Sequence, residues 1–132
     1  MKEASGNISQ IADIIRDRPD GFGVFSGDDG LTLAVMAHGG DGVISVVSNV
    51  VPHLVVALTD AMSRGDLAGA RRLDARLAPL VHAAFIESNP IPAKAMLHLQ
   101  ARMQNVLRLP LLPLADVHHD TVRRALASVE TL

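Results

Sequence analysis

The side chains able to do chemistry are few and spread out. The chain has no cysteine, tyrosine or tryptophan, which rules out disulfides, thiolate catalysis and cysteine-ligated zinc. The candidates that remain are Lys2 beside Glu3, the acidic pair Asp28-Asp29 between Gly27 and Gly30, the hydroxyls of Ser26 and Ser45, and six histidines. Taken alone, Lys2 reads as a solvated lysine near a terminus, because lysines are rarely buried. Asp28 reads as a helix cap. Asp28-Asp29 lacks the alternating acids and distant glutamate of a calcium loop. Ser26 and Ser45 have no histidine base beside them in sequence. His118-His119, between Asp116 and Asp120, is the densest cluster of metal-ligand types. Adjacent residues on a helix point about 100° apart, so the pair converges poorly on one ion and reads as a polar helix start. His38, His53, His82 and His98 show no ligand spacing, and no phosphate loop or dinucleotide fingerprint is present. Neither a metal nor a cofactor is expected.

The elements that must position these residues follow from periodicity. Ile8, Ile11, Ile14 and Ile15 make one apolar stripe of a helix over 8–17, with Asn7 or Ser9 as its cap and Pro19-Asp20-Gly21 as its stop. Residues 22–26 read as a short buried strand. Gly27-Asp28-Asp29-Gly30 is a turn, residues 31–38 a helix, and Gly39-Gly40 its end. Residues 43–47 are nearly all β-branched and read as a second buried strand, where Ile44 is ordinary core by pattern. A helix over 52–63 follows. Strands separated by single helices imply parallel βα units, and near-continuous apolar strands imply sheet covered on both faces.

After Arg64-Gly65 the pattern becomes helical throughout. Asp66 caps a long helix predicted over 67–87, with Leu67, Ala70, Leu73, Leu77, Leu80 and Val81 at spacings of three and four and a kink at Pro79. A helix over 92–103 follows a Pro-rich loop. Residues 107–114 are extended, and Asp116 caps a last helix over 117–129. The chain divides into an α/β part (1–64) and an all-α part (65–132). Two complete strands and a stub cannot build a self-sufficient sheet, so the pattern points to part of a larger α/β fold.

Charge and composition narrow the partners. The formal net charge is −2, with 48% apolar and 20% charged residues. No basic stripe interleaved with aromatics is present to bind nucleic acid. The uncharged stretch 42–59 is broken by Ser48, Asn49, Pro52 and His53, so no membrane span is expected. Met1-Lys2-Glu3 is not followed by an apolar signal region, which leaves the cytoplasm as the expected location.

Five segments, in order, carry a resemblance. Lys2-Glu3-Ala4-Ser5-Gly6-Asn7 resembles the Schiff-base lysine motif of the dihydrodipicolinate synthase family, within the N-acetylneuraminate lyase superfamily of (β/α)8 barrels. Residues 25–29 (FSGDD), 40–45 (GDGVIS), 87–92 (ESNPIP) and 107–111 (LRLPL) match further family segments in order and spacing. The resemblance covers essentially the whole chain. It implies the C-terminal part of a (β/α)8 TIM barrel, namely its last strands and helices, followed by an all-α helical subdomain.

The resemblance also implies function. Lys2 matches the lysine that attacks the ketone of pyruvate to form an imine, whose enamine attacks a small aldehyde, here aspartate semialdehyde, in lysine biosynthesis. A protonated imine is an electron sink that stabilises carbanion character at the adjacent methyl. Gly27 and Asp28 match a loop beside the substrate, and Ile44 matches a strand residue whose backbone faces the imine. The family's threonine pair, tyrosine relay and carboxylate-binding arginine precede the lysine and are not in this chain. Val46-Val47-Ser48-Asn49 stands where the family usually has Val-Thr-Ala-Asn. The expectation is a lyase portion inactive alone, completed by a complementary N-terminal half or assembled as a homo-oligomer. The alternative is a truncated barrel remnant that serves as a non-catalytic, self-associating module.

Overall fold

A computed structural model describes residues 1–130. The order is β1 (Lys2–Glu3), α1 (Ile8–Asp17), β2 (Phe25–Ser26), α2 (Thr32–Ala37), β3 (Gly42–Val43), α3 (Pro52–Ser63), α4 (Leu67–Ala84), α5 (Ile91–Leu99) and α6 (His119–Glu130), with 3-10 turns before α2, α3 and α6. Among the described residues the three strands form one parallel sheet in the order β1-β2-β3. Lys2, Phe25 and Gly42 stand in register, as do Glu3, Ser26 and Val43. The expected parallel βα units are present.

The strands are shorter than the apolar runs that suggested them. Of residues 22–26 only Phe25–Ser26 is strand, and of 43–47 only Val43, joined by Gly42. Val47 instead enters a 3-10 turn that feeds α3. Local β-branching marks burial here rather than extended pairing, because Val47 has 1% exposure in the helical core.

Among the described residues one face of the sheet is covered and the other is open. Successive strand residues point to opposite faces. Glu3, Ser26 and Val24 are buried on one side, where α2 packs on β2 and β3. The other side carries Lys2, Ala4, Phe25, Gly27 and Ile44, none of them buried.

Helix ends follow their capping chemistry. Asn7, rather than Ser9, caps α1 by accepting from Gln10 N at 3.2 Å. Asp66 Oδ1 accepts from Gly69 N at 2.8 Å, and a Cβ at 69 would lie 2.1 Å from Asp66 Oδ2 and so displace the capping carboxylate. α4 runs unbroken through Pro79 and stops at Ala84, before the predicted 87. α5 stops at Leu99 rather than 103, closed by Ala101 at φ +56° and by Arg102 N donating to Leu97 O. Asp116 does not cap α6. It lies within the 3-10 turn ahead of that helix, a turn that starts after Ala115 without a side-chain cap hydrogen bond.

Two apolar clusters hold the chain together. The smaller joins Ile11 and Ile15 of α1 to Val24 and to Val35 of α2. The larger gathers Leu58, Leu77, Leu80, Met96, Val122 and Leu126 from α3, α4, α5 and α6, and so spans Arg64-Gly65. Leu58 and Leu80, at 2% and 0% exposure, each contribute about 1.5–3 kcal/mol of burial. Arg76 of α4 donates to Val129 O at 2.7 Å, which satisfies a carbonyl near the end of α6.

Candidate active site

Lys2 lies on the edge strand β1, and its side chain is on the open face of the sheet. It crosses the sheet toward residue 27. A Cβ built on Gly27 would lie 2.7 Å from Lys2 Cε, 2.6 Å from Ala4 Cβ and 3.0 Å from Glu3 O. Two of these approaches are closer than real Cβ contacts come, so the aliphatic stem of Lys2 packs in the space that glycine leaves. Gly27 N donates to Glu3 O at 2.6 Å, which fixes this approach by backbone pairing rather than by side-chain chance. No hydrogen bond or ion pair holds the Lys2 ammonium among the described residues.

Asp28 follows directly. Its Oδ1 accepts from Gly30 N at 2.9 Å, so the capping role is present. Its carboxylate also borders a groove of about 530 Å³, lined on one side by Ala4, Gly27 and Asp28 and on the other by His82, Phe85 and Ile86 of α4 and the residues just beyond it. The capping role of Asp28 is thus seen directly, and the same residue lines this groove. Ile44 lies one residue past β3, half exposed at 50%, with its N–H given to Ser26 O at 2.8 Å. By strand alternation it shares the open face with Lys2 and Gly27. The fold thus brings the Lys2 stem onto Gly27, with Asp28 next in the chain and Ile44 on the same face as Lys2 one strand further along.

Three groups were not legible from the sequence. Asp29, 6% exposed, is the hub of this end of the sheet. It accepts from the Ser45 hydroxyl and from Val46 N at 2.8 Å. Ser45 Oγ in turn accepts from Ser48 N at 2.8 Å. Asp29 thereby ties the turn after β2 to the turn after β3. Glu3 is 6% exposed with Oε1 accepting from Ser5 N at 3.1 Å, while its Oε2 is buried without a partner. Phe85 forms part of the far wall of the groove and is 49% exposed. Its rarity in an aromatic-poor chain was the one available signal.

The histidine pair diverges. His118 Nε2 is 3.9 Å from Glu87 Oε1, and His119 Nε2 is 3.8 Å from Asp116. At the opposite end of the sheet, Asp41 accepts from Val24 N at 2.8 Å and pairs with Arg18. The hydrogen bond from Val24 N holds its carboxyl below the usual range, burial opposes this, and Arg18 adds to the lowering.

The site is therefore a lysine on a parallel-sheet edge, seated on a glycine that itself borders a groove shared with Asp28 and α4. Residues 1–129 match the model of the dihydrodipicolinate synthetase family, and the chain belongs to that family. It is 46% identical over 132 residues to the 4-hydroxy-tetrahydrodipicolinate synthase of Acidithiobacillus ferrooxidans, covering 100% of this chain and 45% of that protein. It is 45% identical to the same enzyme of Archaeoglobus fulgidus, covering 100% and 46%. The dihydrodipicolinate synthase of Thermotoga maritima superposes with a TM-score of 0.93 at 40% identity, covering 97% of this chain and 44% of that one. The chloride-inhibited enzyme of Acinetobacter baumannii, solved with pyruvate, gives 0.92 at 34%, covering 97% and 44%. The chain thus spans less than half the length of these relatives. Among the described residues no helix is long and apolar enough to cross a membrane.

Proposed function

We propose that this chain is the C-terminal, Schiff-base-forming portion of a pyruvate-dependent lyase of the dihydrodipicolinate synthase type, acting in the cytoplasm. Residues 1–64 are the last part of a (β/α)8 barrel and residues 65–132 its helical subdomain. The observation that carries this reading is Lys2 packed on Gly27 beside Asp28, on the sheet face that a closed barrel would turn inward. Among the described residues, three consecutive parallel strands with the four helices α3 to α6 after them support the placement late in the barrel.

The chemistry follows from the amine. Neutral Nζ of Lys2 attacks the ketone carbon of pyruvate, and loss of water leaves a protonated imine. Loss of a methyl proton gives an enamine. Its methylene carbon bonds to the aldehyde carbon of aspartate semialdehyde, and the aldehyde oxygen takes up a proton. Gly27 and Asp28 form the wall nearest the incoming aldehyde, and the backbone at Ile44 faces the imine. This chain contains no tyrosine, so a complementary N-terminal part supplies the proton relay and the carboxylate-binding arginine. By itself the chain does not complete the reaction.

The test is reductive trapping. The full chain is incubated with pyruvate and reduced with borohydride, and the adducts are located by peptide mass spectrometry. The expected result is saturable labelling of Lys2 well above Lys94 and distinct from the Met1 α-amine. Equal labelling of Lys2 and Lys94 would remove the basis for a Schiff-base site.

A second reading has its own observation. Among the described residues β1 and β3 are the outer strands of the sheet, and Ile44 is half exposed on the open face, so the chain would self-associate as a non-catalytic module. Sedimentation across concentration decides this, and a monomer throughout would end the reading.

A further inference from the structure

A second cavity adjoins the groove beside Asp28 and shares Val81 and His82 with it. It measures about 300 Å³ and is lined by Asp29, Gly30, Val47, Val55, Leu58, Asp74, Leu77, Ala78, Val81 and His82. Its floor is apolar and well buried: Val47, Val55, Leu58 and Leu77 have 1%, 7%, 2% and 3% exposure. Asp29 contributes a carboxylate each of whose oxygens already accepts a hydrogen bond, from Ser45 and from Val46. Asp74 differs. It is partly buried on α4, and no hydrogen bond or ion pair engages its carboxylate among the described residues. The nearby Arg76 is committed to Val129 O. Burial alone pushes the Asp74 carboxyl above its ordinary range, which is the response of a charge set against apolar wall without a counter-ion.

We propose that this cavity binds a small primary alkylammonium, with the ammonium against Asp74 and the short aliphatic body over Leu77, Leu58 and Val55. An ammonium has three donors and no acceptor, so it complements a lone carboxylate, and its chain takes the place of water on the apolar floor. The volume is at the small end of ligand sites, which suits a body of a few carbons. His82, roughly 12 Å further along α4, lines the same cavity and sets its length. The site uses neither Lys2 nor its imine, so it stands or falls separately from the lyase reading.

The experiment is a methyl-detected NMR titration of the full chain with butylammonium chloride, with 1-butanol as the neutral control. Saturable shifts at Val55, Leu58, Leu77 and Val81 are expected. Asp74→Asn should weaken binding about tenfold or more, the loss expected for one charged contact. Ala78→Phe, at an exposed position on the cavity wall, should block the cavity, and Lys2→Ala should leave binding unchanged. Equal affinity for butanol, or undiminished binding in Asp74→Asn, would overturn the proposal. So would concentration-dependent shifts at these methyls without added amine, which would place a lysine of a second copy there.

Discussion

Gly27 lacks a side chain where Lys2 needs room: a Cβ at 27 would sit 2.7 Å from Lys2 Cε. The glycine's φ is not in the left-handed region, so its requirement here is space rather than backbone freedom. Replacing Gly27 with alanine should therefore do two things. It should push the Lys2 stem off the sheet and lower its pyruvate trapping toward the level of Lys94. It should also cost about 1–3 kcal/mol of stability, because Ala4 Cβ and the Glu3 carbonyl cannot both yield. Borohydride trapping and urea unfolding of the same variant read the two effects.

Asp29 ties two loops together across the sheet. Asp29→Ala leaves Val46 N without its acceptor and frees the Ser45 hydroxyl, at an expected cost of about 1–3 kcal/mol. Asp29→Asn keeps one acceptor oxygen and should lose less. Urea denaturation midpoints order the three proteins, and an Asp29→Ala midpoint equal to the parent would contradict the hub.

Asp41 and Asp74 should give opposite pH slopes. The folded pKa of Asp41 lies below its ordinary 3.8. Its contribution is therefore present above about that pH and lost as pH falls through the folded value. The folded pKa of Asp74 lies above 3.8 because of burial. In the window between the two Asp74 values the native state binds more protons, so stability rises as pH falls through it. Thermal melts from pH 3 to 7 on Asp41→Asn and Asp74→Asn separate them. Asp41→Asn should lessen the acid loss, and Asp74→Asn should be more stable than the parent at pH 7.

The larger core should fail at α4. Leu80 has 0% exposure amid residues of several helices, and Leu80→Ala should cost about 2–5 kcal/mol. Val56→Ala on the exposed side of α3, at 54% exposure, should cost within about 0.5 kcal/mol. If the two substitutions cost the same in urea, the packing of α4 described here is wrong.

Sequence alone settled what depends on local chemistry. The α1 stripe of isoleucines, the Asp66 cap, the Pro52 start of α3 and the parallel order of βα units follow from spacing and capping, which act over a few residues, whereas the choice of Asn7 over Ser9 as the α1 cap did not. The ordered run of motifs from Lys2 to Leu111 likewise marked the family. Strand lengths were not legible, because β-branched residues such as Val47 serve a helical core as well as a strand. Which sheet face these residues cover by themselves was not legible for a related reason: Lys2, Phe25 and Ile44 alternate onto a side that no local pattern distinguishes from the buried one. Only the tertiary structure set the Lys2 stem over Gly27, joined Asp29 to Ser45 and Val46, and left Asp74 without a partner above an apolar floor. Those relationships join residues far apart in the chain, and their energies depend on which surfaces meet once the chain has closed on itself.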